Sequence, residues 1–112
     1  MQPLKFTNTL GWACLESVYE KCLVYELEKR NIRCLQQVRI TIIYQGMKIE
    51  DGLRIDILVG KLVIIELKAQ ENYHPVWNAQ LLSYLKLTRI RLGFILNFHV
   101  PVMKNGIKRM IL

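Results

Sequence analysis

Apolar residues near the start of the chain recur at the spacing of a helix. They fall three or four residues apart at Leu15, Val18, Cys22 and Tyr25. Together with Tyr19 and Leu23 they form a broad apolar stripe, which predicts a helix over about residues 10–30. Asn31 is a suitable stop for this helix, since glycine and asparagine are common just after helix ends.

The middle of the chain has the alternation of apolar and polar residues that is typical of β-strands. It predicts three strands, at about residues 38–44, 47–50 and 53–59. The turn signals Gln45-Gly46 and Asp51-Gly52 separate them. After these, the apolar β-branched run Val63-Ile64-Ile65 predicts a buried central strand that continues to about Ala69.

The last third of the chain predicts one helix between strands. Pro75 suits the first turn of a helix over about residues 75–88. We expect its inward face to consist of Val76, Ala79, Leu82 and Leu85. Residues 92–98 and 107–112 predict two further strands, and a strand, helix and strand in succession predict a parallel pair. The predicted order is helix, three or four strands, helix, strand, strand. The expected class is therefore α/β, with a mixed sheet flanked by helices and a core in α-β-β-β-α-β order.

Length and charge narrow the kind of protein. The 112 residues suit one domain over residues 1–112, and the 52% hydrophobic content excludes a mostly disordered chain. No apolar run is long enough to cross a bilayer, and residues 1–9 lack the apolar block of a signal peptide. We therefore expect a cytoplasmic protein with no membrane partner. The net charge of +7 makes an anionic partner such as nucleic acid plausible, although charge alone is weak support.

The cysteines and the missing motifs exclude several kinds of site. Cys14, Cys22 and Cys34 contain no closely spaced pair, so the sequence predicts reduced, buried thiols rather than a zinc site. There is no phosphate-binding loop, no Gly-x-Gly-x-x-Gly and no His-Glu-x-x-His segment. These absences remove most of the familiar enzyme classes.

Two predicted strands contain charged residues that their apolar surroundings do not explain. Asp56 interrupts one strand, and Glu66 and Lys68 lie on one face of the next because strand side chains alternate. An unpaired buried carboxylate is costly, so such an acid needs a partner or a cation. Asp56 and Glu66 on one face would provide oxygen ligands for Mg²⁺, with Lys68 available to a phosphate or a water.

The connection between these strands decides whether the two acids share a face. A two-residue turn at Gly60-Lys61 would place them on opposite faces of the sheet. A three-residue connection over residues 60–62 would pair Val59 with Val63 and set the two acids opposite each other. We predict the longer connection, or a bulge of equal effect.

A purely structural interpretation of these charges stays open from the spacing alone. Glu66 and Lys68 would then form the polar face of a strand, with Asp56 paired to Arg54 or Lys68. Arg54 can equally be interpreted as a phosphate contact, and Glu20 as part of a solvated helix edge. The motif Asp-x9-Glu-x-Lys is short and occurs by chance in many proteins.

Taken with other segments, the same residues resemble a known nuclease superfamily. Asp56 with Glu66-Leu67-Lys68 looks like the signature of the PD-(D/E)XK nucleases, and Gln80 with Tyr84 is similar to the Gln-x-x-x-Tyr element of the RecB-like branch. The chain also resembles the small GxxExxY proteins, in residues 10–21, 52–56, 79–88 and 93–98. The likeness covers nearly the whole chain from Leu10.

The resemblance implies a restriction-endonuclease-like fold with a nuclease site that uses Mg²⁺ or Mn²⁺ and acts on DNA in preference to RNA. The metal ligands it implies are Glu16, Asp56, Glu66 and the carbonyl of Leu67. Lys68 would orient the attacking water or stabilise charge on the phosphate, and Gln80 and Tyr84 would flank the site. The alternative from another class is a nucleic-acid-binding or assembly module on the same fold, without turnover.

The chain departs from the family pattern at its start. Ala13 stands where the GxxExxY signature has a glycine, which leaves Glu16 and Tyr19 in place. Family members generally have another helix before the segment that corresponds to Leu10. Apolar surface left without that helix would indicate a truncated product, or a homodimer or partner protein that covers it.

Overall fold

The chain folds into a five-stranded mixed sheet with two helices. The structure, a computed structural model, describes residues 15–99 and 103–112. Its helices are α1 (Leu15–Lys29) and α2 (Val76–Thr88), and a 3₁₀ turn spans Met103–Gly106. Its strands are β1 (Cys34–Tyr44), β2 (Met47–Val59), β3 (Val63–Lys68), β4 (Leu92–Asn97) and β5 (Ile107–Ile111).

The strands lie side by side in chain order, and one pair is parallel. β3 and β4 run parallel, joined by the crossover helix α2, while the other neighbours are antiparallel. The α/β class, the mixed sheet and the parallel pair are therefore confirmed. The crossover leaves β3 in the middle of the sheet, with one neighbour that precedes it in the chain and one that follows it.

β2 is one long strand where the sequence predicted two. The predicted break at Asp51-Gly52 was wrong, because pairing with β1 continues past it through a bulge in β2, opposite the segment from Ile40 to Ile42. Asp51 takes a left-handed backbone with φ of 54°. Gly52 then passes so close to β1 that a Cβ atom there would lie 2.7 Å from Cδ1 of Ile42. β1 itself begins at Cys34, before its predicted start.

α1 ends at Lys29, just before Asn31, the stop that the sequence predicted. Asn31 has a left-handed backbone with φ of 62°. The N–H groups of Asn31 and Ile32 donate to the carbonyls of Glu28 and Leu27, which is the Schellman closure of a helix. The part of the predicted helix before Leu15 lies outside the described residues.

The buried face of α1 covers only part of the apolar stripe. Its buried side chains are Tyr19, Leu23, Val24 and Leu27. Tyr25 also belongs to the stripe, but its side chain is 63% exposed. The ring of Tyr19 stacks on Phe98 with 4.0 Å between centroids, and this contact orients the helix on the sheet.

The inward face of α2 also differs from the prediction. Its buried residues are Trp77, Leu81, Tyr84 and Leu85, so that only Leu85 was predicted correctly as buried. Val76 and Ala79 are exposed and Leu82 is half-buried. The helix is apolar on most sides, so spacing alone could not choose its face. Gly93 makes room for the observed one, because a Cβ atom there would lie 2.8 Å from Cδ1 of Leu81.

The sheet separates two apolar cores. Alternate residues of β3 point to opposite faces, with Ile65 and Leu67 in the core under α1 and Ile64 in the core under α2. Cys22 and Cys34 are free, half-buried thiols, and Cys14 lies outside the described residues. Within the described ranges, no helix is long and apolar enough to cross a membrane.

Candidate active site

β2 and β3 are paired over a short distance and then separate. The ladder ends with Ile57 opposite Ile65, and at its other end Val59 pairs with Val63. The connection thus has three residues, as predicted. The next residue beyond the ladder is Asp56 on β2 and Glu66 on β3. We call this point, where the two strands separate, the fork.

The two acids replace the missing ladder at the fork. The N–H of Leu67 donates to Oδ2 of Asp56 at 2.9 Å, and the N–H of Asp56 donates to Oε1 of Glu66 at 3.4 Å. Backbone N–H groups away from water need acceptors, and separated strands can no longer supply carbonyls to each other. Asp56 and Glu66 therefore lie side by side, as the connection length predicted, and each is oriented by the backbone of the opposite strand.

All the side chains that the sequence singled out for the site line one cavity of about 530 Å³. They are Glu16, Asp56, Glu66, Lys68, Gln80 and Tyr84. Residues of α1, β2, β3 and α2 thus meet at the fork. Their proximity supports the predicted site, while the role of each residue stays a prediction.

Burial and like charge act on the acids of this cavity. Glu66 is 4% exposed, and its burial, followed by the charge of Asp56, raises the pKa of Glu66 from 4.5 to about 8. The pKa of Glu16 is also raised, by burial first and then by the charge of Asp56. A cation at the fork would stabilise the ionised acids, because it brings opposite charge directly to their oxygen atoms.

The oxygen atoms at the fork suit a hard divalent cation, although Glu16 does not join the other two acids. Within residues 15–99 and 103–112, no three Asp, Glu, His or Cys side chains converge closely enough to hold a metal ion. Asp56 and Glu66 would then be the carboxylate ligands, beside the backbone of Leu67. Two carboxylates completed by water are a usual environment for Mg²⁺.

Lys68 is connected to α2 by a short chain of polar contacts. Its Nζ donates to Oε1 of Gln80 at 3.4 Å and lies 5.6 Å from the centre of the Trp77 ring. Nε2 of Gln80 donates to the hydroxyl of Tyr84 at 2.9 Å. Burial, and then the charge of Glu66, raises the pKa of Tyr84, so its hydroxyl stays protonated and can donate to a substrate oxygen.

The purely structural interpretation, in which Asp56 is paired to Arg54 or Lys68, does not match the ion pairs in the structure. In the part of the chain that the structure describes, neither Arg54 nor Lys68 forms an ion pair with Asp56.

Trp77, near Lys68, has a packing role. It is buried and packs edge-to-face on Tyr73 with 4.9 Å between ring centroids.

A polar group beside the fork was missed in the sequence. Nε2 of Gln37 donates to Oε1 of Glu20 at 2.6 Å and to Oδ1 of Asp56 at 3.4 Å. Nε2 of Gln36 donates to the other oxygen of Glu20 at 3.0 Å. Gln37 holds a left-handed backbone with φ of 52°, which is uncommon for a residue other than glycine and recurs at functional sites. The only signal in the sequence was two adjacent glutamines before an alternating strand.

Comparisons with known proteins give one result. A family model described as the PD-(D/E)XK nuclease superfamily matches residues 3–110. Searches among curated proteins and among solved structures returned no significant match. The mixed five-stranded sheet flanked by helices is consistent with the restriction-endonuclease-like fold of that family.

Proposed function

The chain belongs to the PD-(D/E)XK nuclease superfamily, and from that premise we propose that it is a divalent-metal-dependent nuclease that hydrolyses phosphodiester bonds of DNA, in preference to RNA. Within the superfamily we propose the GxxExxY type, with Gln80 and Tyr84 as its Gln-x-x-x-Tyr element. The observation that carries the proposal is the fork itself. There the buried carboxyl of Glu66 lies beside Asp56, and Lys68 lines the same cavity.

The cation would be Mg²⁺ or Mn²⁺, held by Asp56, Glu66 and the carbonyl of Leu67. When bound, it polarises the phosphoryl oxygen and makes a bound water more acidic. Glu16 lines the cavity from α1 and contributes negative charge that favours the cation. The raised pKa of Glu66 supports this assignment, because a buried acid beside another acid gains most from a cation.

The remaining side chains act on water and phosphate. The ammonium group of Lys68 orients the attacking water and stabilises negative charge that develops on the phosphate. The attacking water gives up a proton and its oxygen forms the new bond to phosphorus. The bond to the leaving oxygen breaks, and the leaving oxygen takes up a proton. Gln80 holds Lys68 and Tyr84 in place, and the hydroxyl of Tyr84 donates to a phosphate oxygen.

The test is cleavage of labelled single- and double-stranded DNA and RNA in Mg²⁺, in Mn²⁺ and in EDTA. We expect metal-dependent cutting by the wild type that is lost in Asp56→Asn and in Lys68→Ala. Glu28→Gln is the matched control, because it removes an exposed acid on α1 that does not line the cavity.

The outcomes separate the nuclease from the alternative module. Cutting that survives EDTA, or that survives both substitutions, would reject the proposed site. If the protein binds DNA in a salt-dependent way but does not cut any of the substrates, a binding or assembly module becomes the better description. We also propose that a homodimer or a partner protein covers apolar surface of the chain. Analytical ultracentrifugation tests the homodimer.

A further inference from the structure

Two arginines face each other across β1 and β2 beside the fork. Arg39 pairs with Arg54 in the sheet register, and both line the cavity that holds Asp56. The bulge in β2 creates this pairing. Near the turn Tyr44 pairs with Met47, and without the two extra residues of the bulge that register would bring Gly52 opposite Arg39.

The arrangement leaves positive charge that ion pairs within the protein compensate only weakly. Like charges directly opposite each other in a sheet are destabilising. In the described part of the chain Arg54 forms no ion pair. Arg39 reaches Asp51 at 3.5 Å, but the two side chains are 69% and 59% exposed, and such a pair contributes little.

The charge of Arg54 acts on the same space as the acids. It lowers the pKa of both Glu16 and Tyr84, against the larger effect of burial, so its guanidinium group faces these cavity residues from β2. Two guanidinium groups that line the same cavity as the acids are suited to an anion that arrives with the substrate.

We propose that Arg39 and Arg54 together bind the phosphate next to the one that is cleaved. Guanidinium groups bind phosphate oxygens in a bidentate way. Arg54 lies two residues from Asp56 along one strand, a distance of about 6.7 Å, and successive phosphates of a nucleic acid strand have a similar separation. Lys68 on β3 is left for the cleaved phosphate.

This inference rests on the proposed nuclease function and adds to it a contact with the strand beside the cleaved bond. The arginine pair positions the strand, since phosphate contacts fix register and carry no sequence information. The pair therefore acts on substrate affinity rather than on the chemical step.

Binding provides a test that does not require cleavage. Anisotropy of a fluorescent 20-nucleotide single strand and its duplex would be measured in Ca²⁺, for wild type and Arg39→Gln/Arg54→Gln. We expect the pair variant to bind about tenfold more weakly, with the slope of log K against log salt reduced by about one. Arg33→Gln is the control, because it removes one exposed arginine that does not line the cavity.

Cleavage kinetics provide the second readout. For the pair variant, KM for the oligonucleotide should rise with little change in kcat. Its melting temperature should stay the same or rise, since the substitutions remove a repulsion between two arginines. Binding that falls no more than in Arg33→Gln, or a loss confined to kcat, would overturn the phosphate site. If the wild type cuts nothing while the pair variant alone loses binding, the phosphate site stands and the nuclease proposal fails.

Discussion

The two edges of β3 are built from the same residues and do different things. Along the edge that faces β4, each residue from Val63 to Lys68 is paired with a residue of β4, from Leu92 to Asn97. Along the edge that faces β2, pairing stops at Ile65 and the strands separate. Along the first edge β3 is paired with another strand throughout, whereas at the second edge the N–H of Leu67 is bound by a carboxylate.

This difference shows how a small sheet can hold ionisable groups near its centre. An acid in a fully paired strand would be an isolated buried charge. At the fork, Asp56 and Glu66 are acceptors for backbone N–H groups, so their burial also completes the hydrogen bonds of the sheet. The remaining oxygen lone pairs are available to a cation. We therefore expect substitutions at the fork to reduce activity and substitutions on the paired edge to reduce stability.

The largest expected effect is on activity and comes from Glu66→Gln. The amide keeps an acceptor for the N–H of Asp56 but loses the charge that holds a cation, so cleavage should fall by about a thousandfold. Initial cleavage rates at saturating Mg²⁺ measure the fall, and urea unfolding should show no loss of stability. Activity within tenfold of wild type would remove Glu66 from the site, provided that Glu28→Gln behaves as wild type.

The next effect is on stability and comes from Ile64, where β3 is paired with a strand on each side. Ile64 is fully buried in the core under α2, so Ile64→Ala should lower the free energy of unfolding by about 3 kcal/mol. Urea denaturation measures this, with Leu62→Ala as control because the Leu62 side chain is 74% exposed. Cleavage by the folded fraction should be retained. A loss as small as that of the control would mean that β3 is not the centre of the core.

The pH dependence of stability should distinguish the two edges as well. The folded protein keeps a proton on Glu66 up to a pKa of about 8, while the unfolded chain releases it near 4.5. Between these values the folded state binds more protons, so without metal its stability falls by several kcal/mol in all as pH rises. Glu66→Gln should lack this part of the fall. Thermal unfolding in EDTA from pH 5 to 8 compares the two proteins, and parallel curves would contradict the raised pKa.

The alternation of strand side chains made it possible to predict both the strands and the face of the sheet on which the two acids lie. Strand side chains alternate strictly, so the length of the connection at residues 60–62 was enough to place Asp56 and Glu66 together. The faces of the helices were harder to predict. α2 is apolar on most sides, and its orientation depends on Gly93, which admits Leu81 from another part of the chain.

The contacts beside the fork could not be predicted from spacing. The opposition of Arg39 and Arg54 depends on a bulge that shifts the register, and the sequence signalled a turn at that place instead. The contact of Gln37 with Glu20 and Asp56 depends on a left-handed residue in a strand and on the position of α1 above it. Both are consequences of packing between distant segments, which no local pattern records.

The smallest expected effect tests whether Gln37 helps to position Asp56. Gln37→Asn keeps a residue that tolerates the left-handed backbone, but its shorter side chain cannot reach both acids. We expect metal affinity to fall by about tenfold, because groups that orient a ligand have effects of this size. Calorimetric titration with Mn²⁺ measures it.

Gln36→Asn is the matched control for this prediction, since Gln36 contacts Glu20 but not Asp56. If only the contact with Asp56 matters, the control should bind Mn²⁺ as tightly as wild type. Equal losses in both variants would instead assign the effect to Glu20 and the packing of α1 on β1. In that case the support for the fork would come from the helix as a whole, and the open edge of β3 would depend on α1 in the same way that its paired edge depends on β4.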